Sequence, residues 1–121
     1  MNRQNLSRMG EEKAKQYLQS KGYTILEKNF KTNCGEIDII AIDNNNEKTL
    51  VFIEVKTRIS EKYGKPEDAI TKRKLKTIKK TGEYYSLLHD SLPKLLRIDA
   101  VLIEVNNNKI TRLELIKNAE V

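Results

Sequence analysis

Two short apolar runs near the middle of the chain have the clearest pattern in the sequence. Residues 35–42 (GEIDIIAI) and 49–58 (TLVFIEVKTR) are rich in β-branched residues and are separated by a segment containing three asparagines, residues 44–46. Such runs on either side of a turn-forming segment predict a β-hairpin. Strand side chains alternate between faces, and both faces of each run are apolar apart from a few charged positions. We therefore expect both strands to lie inside a sheet that is covered on both sides.

The pattern outside this hairpin predicts two helices and three further strands. Apolar residues recur at helical spacing over residues 6–21, with Ser7 as a candidate N-cap and Gly22 at the end. A second helix is predicted to begin at Pro66 and to run to about residue 88, either unbroken or interrupted near Thr71. Its predicted inner face is Ile70, Lys74, Ile78, Thr81, Tyr85 and Leu88, and the remaining strands are residues 23–27, 97–105 and 109–116.

The order of the elements is αβββαββ, which predicts an α/β fold with a mixed central sheet flanked by helices. A second asparagine triplet, residues 106–108, separates the last two strands, where a turn is expected. At 121 residues the chain is long enough for one hydrophobic core, so residues 1–121 are expected to form a single domain.

An excess of basic residues narrows the choice of partner. Lys and Arg number 23 against 17 Asp and Glu, which gives a net charge of +6. A basic domain favours a polyanionic partner, with nucleic acid ahead of an anionic membrane surface. The alternative is that the basic side chains are simply solvated.

Cysteine and histidine usage excludes two classes of site. Cys34 and His89 are the only residues of their types, so neither an intrachain disulfide nor a Cys/His zinc site can form. Such a chain suits a reducing compartment, and we expect a cytoplasmic protein. Residues 1–10 are polar, unlike a signal peptide, and no apolar run reaches the ~18 residues of a membrane span, so no membrane partner is expected.

The charged positions of the hairpin are the strongest candidates for chemistry. If the chain turns at residues 44–46, Asp38 lies directly opposite Glu54, and Glu36 lies opposite Lys56. Two facing carboxylates in a covered sheet repel each other, and each loses its hydration. Mg²⁺ relieves this repulsion, because it takes oxygen ligands from one or two carboxylates and keeps water or phosphate in its other positions. Lys56 could then reach a phosphate or orient an attacking water.

The same residues have a second interpretation. A D…ExK pattern also arises by chance, as an ordinary cross-strand salt bridge at a sheet edge. The apolar setting of both strands and their pairing in a hairpin support metal-dependent phosphodiester hydrolysis, but both interpretations stay open on these residues alone. Mn²⁺ is a second candidate ion, because it also binds carboxylate oxygens.

Several motifs resemble, in their order and spacing, the YraN-like family of small bacterial proteins. The match spans nearly the whole chain, through Gly10-Glu11-Glu12, Gly22-Tyr23, Asn29, GEIDIIA, VFIEVKTR, Gly64-Lys65-Pro66 and RIDAV. That family is assigned to the PD-(D/E)XK nuclease superfamily and is similar to archaeal Holliday-junction resolvases. The resemblance implies a restriction-endonuclease-like fold, a nuclease acting on DNA that is branched or otherwise structured and, as in the resolvases, a homodimer.

The resemblance also implies roles for individual residues. It assigns the two acidic metal ligands to Asp38 and Glu54, the catalytic lysine to Lys56, and a further first-helix glutamate to Glu11. One position departs from the superfamily pattern, because Ile37 stands where the superfamily has a proline. That proline is not a ligand, so the change weakens the motif more than the mechanism.

A basic run follows the hairpin. Residues 72–80 (KRKLKTIKK) hold six basic residues in nine. They are predicted to track phosphates, although a solvated helix face has the same charge pattern. The candidate nucleic-acid-binding residues are Arg58, Lys72, Arg73, Lys74, Lys76, Lys79 and Lys80.

Three other positions have open or structural interpretations. Glu36 either contributes to the metal site or pairs with Lys56 or Arg97, and the sequence favours neither. Tyr84 and Tyr85 have the side chain that stacks on bases, but their helical spacing is more typical of core residues.

Three functions are therefore compatible with the sequence. The first is a Mg²⁺-dependent endonuclease, with DNA ahead of RNA as substrate. The second is a nucleic-acid-binding module without catalytic activity, which acts within a repair or DNA-processing assembly. The third is a purely structural or interaction protein, which the basic helix disfavours.

Overall fold

The computed structural model describes residues 2–59 and 70–120 of the chain. Within these residues the elements are α1 Arg3–Ser20, β1 Tyr23–Lys31, β2 Glu36–Asp43, β3 Thr49–Ile59, α2 Lys72–Leu88, β4 Leu96–Asn106 and β5 Lys109–Ile116. The order αβββαββ is confirmed, whereas the predicted helix start at Pro66 lies outside the described residues. Neither α1 nor α2 has the length and apolar character that crossing a membrane requires.

The five strands form one mixed sheet in the order β1-β2-β3-β4-β5. β3 and β4 are parallel, and the other neighbours are antiparallel. Helix α2 lies in the crossover between the two parallel strands, which cannot be joined by a tight turn. The element order and the mixed sheet agree with the restriction-endonuclease-like fold that the resemblance implies.

Apolar clusters cover both faces of the sheet. Helix α1 contributes Ala14 and Leu18 to the cluster on one face, and α2 contributes Ile78 and Tyr85 to the cluster on the other. Both β2 and β3 place side chains in each cluster. The prediction that these two strands are covered on both sides is therefore confirmed.

Helix α1 begins at an N-cap that differs from the predicted one, and α2 has its N-cap at Thr71. The side chain of Asn2 accepts a hydrogen bond from the Asn5 N–H at 2.8 Å, so α1 begins earlier than a Ser7 cap would allow. The side chain of Thr71 accepts a hydrogen bond from the Lys74 N–H at 3.1 Å, and α2 begins directly after it. The interruption considered at Thr71 is therefore a helix start.

The end of α2 also differs from the prediction. Leu88 was expected on the inner face, but it is 56% exposed. The His89 ring stacks on Tyr85 with the ring centroids 4.1 Å apart, so His89 covers this end of the core instead.

Side-chain alternation in β2 breaks between Ile37 and Ile39. The strand pattern predicted both on one face, but Ile37 packs on the α2 side of the sheet and Ile39 on the α1 side. Asn29 of β1 lies between the partners of these two residues, and its φ of 55° is outside the strand region. This irregularity in the neighbouring strand accompanies the change of face, and a period-two pattern does not reveal it.

A buried ion-pair network joins three strands at the end of the sheet near the β2–β3 turn. Arg97 of β4 donates hydrogen bonds to Asp43 of β2 at 2.7 Å and to Asp99 at 2.8 Å. The hydroxyl of Tyr23 in β1 donates to Asp99 at 2.7 Å. Arg97 is thus engaged with Asp43 and Asp99, rather than with Glu36.

Asp43→Asn is expected to lower the free energy of unfolding near pH ~6 by about 2–4 kcal/mol, because it breaks a buried ion pair. Burial opposes ionisation of Asp43, but hydrogen bonds from Arg97 and Asn45 prevail and lower its pKa from 3.8 to about 2. This contribution to stability is complete above about pH 4 and is lost as the pH falls towards 2.

Urea unfolding across this pH range measures the stability of wild type and of Asp43→Asn. The control is Asp90→Asn, because Asp90 is exposed. The stability difference between wild type and Asp43→Asn should shrink as the pH falls. A difference that stays constant down to the lowest pH would contradict the assigned role.

Candidate functional site

β2 and β3 pair in the register that the asparagine turn predicts, and then they separate. Their pairing ends at Ile39 and Ile53, immediately before Asp38 and Glu54. Beyond that point a side chain joins the two strands in place of backbone pairing. Oδ2 of Asp38 in β2 accepts a hydrogen bond from the Val55 N–H of β3 at 2.8 Å. The two predicted carboxylates therefore lie where the two strands part.

The separation of the strands overturns one predicted pairing. Glu36 was expected opposite Lys56, but it is the partner of Lys31 in β1. Lys56 is exposed on β3 and has no ion pair among the residues that the structure describes. β2 and β3 also lie inside the sheet, so an ordinary salt bridge at a sheet edge does not describe this site.

Glu54 is held in an environment that disfavours its charged form. The residue is only 8% exposed. Burial, followed by a hydrogen bond to Asp38 and the charge of Asp38, raises the pKa of Glu54 to about 8, although Lys74 opposes the shift. Near neutral pH Glu54 therefore retains its proton beside Asp38.

Lys74 belongs to this site through a direct contact. Its Nζ lies 3.6 Å from Oε2 of Glu54. The sequence assigned Lys74 to the nucleic-acid-binding run, and its helical spacing placed it on the inner face of α2. The contact with Glu54 could not be found from sequence, because it joins two elements that the local pattern does not relate.

Helix α1 brings Glu11 close to the same carboxylates. Burial, and then the negative charge of Asp38, raise the pKa of Glu11, while a hydrogen bond from Asn29 opposes the shift. Gly10 permits this approach, because a Cβ there would lie 1.9 Å from Oγ1 of Thr57 in β3. The residue that the resemblance assigned to the first helix is therefore at the site. Glu36 also contributes to the field at Glu11.

The rest of the basic run lies on the outer side of α2. Lys79 is 3.8 Å from Glu120, and Arg58 is partly buried on β3. The exposed basic residues of the helix are Lys72, Arg73, Lys76, Lys79 and Lys80. The structure thus divides the predicted run into an inner lysine at the carboxylates and an outer basic face.

The protein groups at this site form a pair of ligands rather than a cage. In residues 2–59 and 70–120, no group of three or more Asp, Glu, His or Cys side chains is arranged to hold a metal ion. Mg²⁺ needs only one or two carboxylates, because water and phosphate complete its coordination. Asp38 and the buried Glu54 supply carboxylate oxygens, and the raised pKa of Glu54 shows that a cation here would relieve the repulsion between them, which fits this ion.

In metal-free buffer, Glu54→Gln is expected to raise the free energy of unfolding at about pH 8.5 by on the order of 2 kcal/mol. The folded pKa of about 8 exceeds the ordinary 4.5, so wild-type stability falls as the pH rises between these values. Near pH ~5 the two proteins should be equally stable, because Glu54 is then protonated in the native state.

Denaturant unfolding at both pH values tests this expectation. Glu104→Gln is the matched control, because Glu104 is 4% exposed and accepts a hydrogen bond from Arg112 at 3.2 Å. That variant should lose stability. If Glu54→Gln lost stability as well, Glu54 would not be a strained carboxylate.

Comparisons with known proteins agree with the resemblance read from the motifs. The family model described as "Uncharacterised protein family UPF0102" matches residues 10–103. A UPF0102 protein of Caldicellulosiruptor saccharolyticus is 42% identical over 120 residues, which cover 98% of this chain and 99% of the relative. A UPF0102 protein of Persephonella marina is 48% identical over 99 residues, 82% of each chain. A third, of Thermodesulfovibrio yellowstonii, is 47% identical over 94% of this chain and 96% of the relative. The chain therefore belongs to the UPF0102, or YraN-like, family.

Proposed function

We propose that this protein is a metal-dependent nuclease that hydrolyses phosphodiester bonds in DNA. The observation behind the proposal is the contact of the buried Glu54 with the part-buried Asp38, where the pKa of Glu54 is raised to about 8. Such a pair destabilises a fold unless a cation joins the two carboxylates. The exposed basic face of α2 supports a polyanionic substrate beside this pair.

Asp38 and Glu54 are the residues that would hold Mg²⁺ or Mn²⁺. The ion would supply Lewis-acid stabilisation of the charge that develops on the phosphoryl oxygens. The Val55 N–H orients the Asp38 carboxylate, so this ligand is fixed before any ion binds. Glu54 must release its proton to act as a ligand, which makes metal affinity depend on pH.

Three further residues would assist from different elements. Lys56 has no ion pair within the described residues, so its ammonium group is available to a phosphate or to the attacking water. The Nζ of Lys74 lies 3.6 Å from Glu54, and a cation bound at Glu54 would repel this ammonium group towards the substrate. Glu11 has a raised pKa, which suits a group that exchanges a proton close to the reacting atoms.

The proposed substrate, oligomeric state and cellular compartment rest on the residues described above and on the resemblance to the YraN-like family. DNA is proposed ahead of RNA, and branched or otherwise structured DNA is proposed by analogy with the resolvases. The same analogy supports a homodimer, because two strands must be cut. A cytoplasmic setting suits the exposed free thiol of Cys34.

A second function is a nucleic-acid-binding module without catalytic activity. Two observations favour it: Lys74 already neutralises part of the charge at Glu54, and the described residues contain no group of three metal-ligating side chains. It predicts salt-dependent binding that is indifferent to metal and to Glu54→Gln. The burial of Glu54 beside a second carboxylate makes the nuclease the better explanation.

Cleavage of DNA is expected to require Mg²⁺ or Mn²⁺ and to fall at least about a hundredfold in Glu54→Gln, because the metal loses a ligand. The assay uses labelled linear, nicked, flapped and four-way DNA and single-stranded RNA, with either metal or EDTA. Glu11→Gln should also cut poorly. Glu12→Gln is its matched control, because the neighbouring Glu12 pairs with Lys28 at 3.4 Å, and it should cut normally. Binding without cleavage, unchanged by metal or mutation, would support the binding module.

Metal binding and cleavage are expected to separate in two variants. Asp38→Asn should weaken Mn²⁺ binding by at least about tenfold, because it removes a carboxylate ligand. Lys56→Ala should bind Mn²⁺ at least as tightly as wild type, since it removes a nearby positive charge, and yet fail to cut.

Titration calorimetry near pH ~6 and pH ~8.5 measures both variants, with Lys109→Ala at the exposed start of β5 as the control. Wild-type affinity should be higher at the upper pH, where Glu54 loses its proton more readily. Equal metal binding by Asp38→Asn and wild type would rule out this ligand pair.

A further inference from the structure

We propose that a groove between the β1–β2 turn and the C-terminal half of α2 binds an unpaired base of a nucleic-acid strand. The groove has a volume of about 580 Å³, within the range of small-ligand pockets. The side chains that matter are Phe30, Lys31 and Asn33 on one wall and Lys80, Tyr84 and Leu88 on the other. The inference rests on the proposed function, because the strand concerned is the one that reaches Asp38 and Glu54.

Tyr84 supplies the stacking surface. Its side chain is 51% exposed and lines the groove, whereas Tyr85 is 3% exposed and packs edge-on against Phe30 with centroids 5.0 Å apart. The adjacent tyrosines therefore differ: Tyr85 belongs to the core, and Tyr84 presents an aromatic side chain at the surface. Exposed aromatic rings of this kind stack on unpaired bases.

The charge around the groove suits a phosphate backbone rather than an apolar peptide. Lys31 and Lys80 flank the groove, and neither forms an ion pair within the part of the chain that the structure describes. Lys72, Lys76, Lys80 and Tyr84 follow one another at intervals of four residues, so they form a continuous row on α2. A strand that tracks these lysines reaches the ring of Tyr84 next.

The turn that forms the other wall is fixed before any ligand binds. Thr32 N donates to the Gly35 carbonyl at 2.8 Å, and Thr32 Oγ1 accepts hydrogen bonds from the Cys34 and Gly35 N–H groups. Gly35 packs against α2 so closely that a Cβ there would lie 2.3 Å from Cγ2 of Thr77. At the tip, the Asn33 amide has no hydrogen bond to any described residue, so it can bind the edge of a base.

The groove lies a few nucleotides from the carboxylate pair. Tyr84 follows Lys74, which contacts Glu54, by ten residues on one helix, or about 15 Å. Asp38 follows Cys34 by four residues along the chain, or about 13 Å of extended backbone. A stacked strand rises about 3.4 Å per nucleotide, so the bound base would be about four nucleotides from the scissile phosphate.

Fluorescence anisotropy in EDTA tests the inference without any cleavage. The probes are a labelled single strand, the same strand with several consecutive abasic positions, and a duplex of equal length. Wild type should bind the base-bearing strand about tenfold more tightly than the abasic strand. Tyr84→Ala should lose that preference, and Tyr84→Phe should keep it, because the ring remains. Leu87→Ala is the matched control, because Leu87 is 79% exposed on the same helix and does not line the groove.

Lys80→Ala separates the charge from the stacking, since it should weaken binding to all three probes alike and lower the salt dependence by about one ion. The inference is overturned if wild type does not distinguish the base-bearing strand from the abasic one. It is also overturned if Tyr84→Ala keeps the wild-type preference, as a groove for an apolar peptide would allow. A separate cleavage assay on wild type keeps the two proposals apart: an intact Tyr84 effect on binding, with no cutting of any probe in Mg²⁺ or Mn²⁺, would contradict the nuclease alone.

Discussion

The contact between the part-buried Asp38 and the buried Glu54 is the constraint that the rest of the site depends on. Each carboxyl group has lost most of its access to water, and two adjacent negative charges in that setting repel strongly. The fold accommodates them by three means: Glu54 retains a proton, Lys74 lies beside it, and the Val55 N–H holds Asp38. None of these removes the strain completely, since the pKa of Glu54 remains raised.

The same sheet provides an internal comparison. Asp43 is also buried, yet Arg97 and Asn45 supply enough hydrogen bonds to lower its pKa to about 2. This protein therefore contains the partners that make a buried carboxylate stabilising at one end of the sheet. At the other end it leaves Glu54 without an equivalent set. A structural role explains the first arrangement, whereas the second is typical of functional sites, where perturbed pKa values are concentrated.

The sequence predicted the sheet and its central hairpin because those features rest on local signals. The asparagine turn fixed the β2–β3 register, and a period of two residues identified the strands. Pairing stopped one residue before Asp38, and Ile37 changed face, because β1 and β2 depart there from regular geometry. Contacts between distant elements, such as that of Lys74 with Glu54, have no signature in a local pattern. The resemblance placed Glu11, which the pattern of residues alone did not single out.

Small residues set the distances between these elements. A Cβ on Gly10 would collide with Thr57, and one on Gly82 would lie 2.5 Å from the ring of Phe52. Glycine inside a helix lowers stability by about 1 kcal/mol relative to alanine. Because both helices nevertheless have a glycine where they contact β3, close approach of helix and sheet matters more at these two positions than helix propensity. Gly10 allows α1 to bring Glu11 close to Asp38 and Glu54, and Gly82 allows α2 to pack closely against β3. In this position the inner side of α2 places Lys74 beside Glu54, and its outer side exposes the basic face to solvent. One helix thereby joins the candidate site to the surface that a nucleic acid would follow.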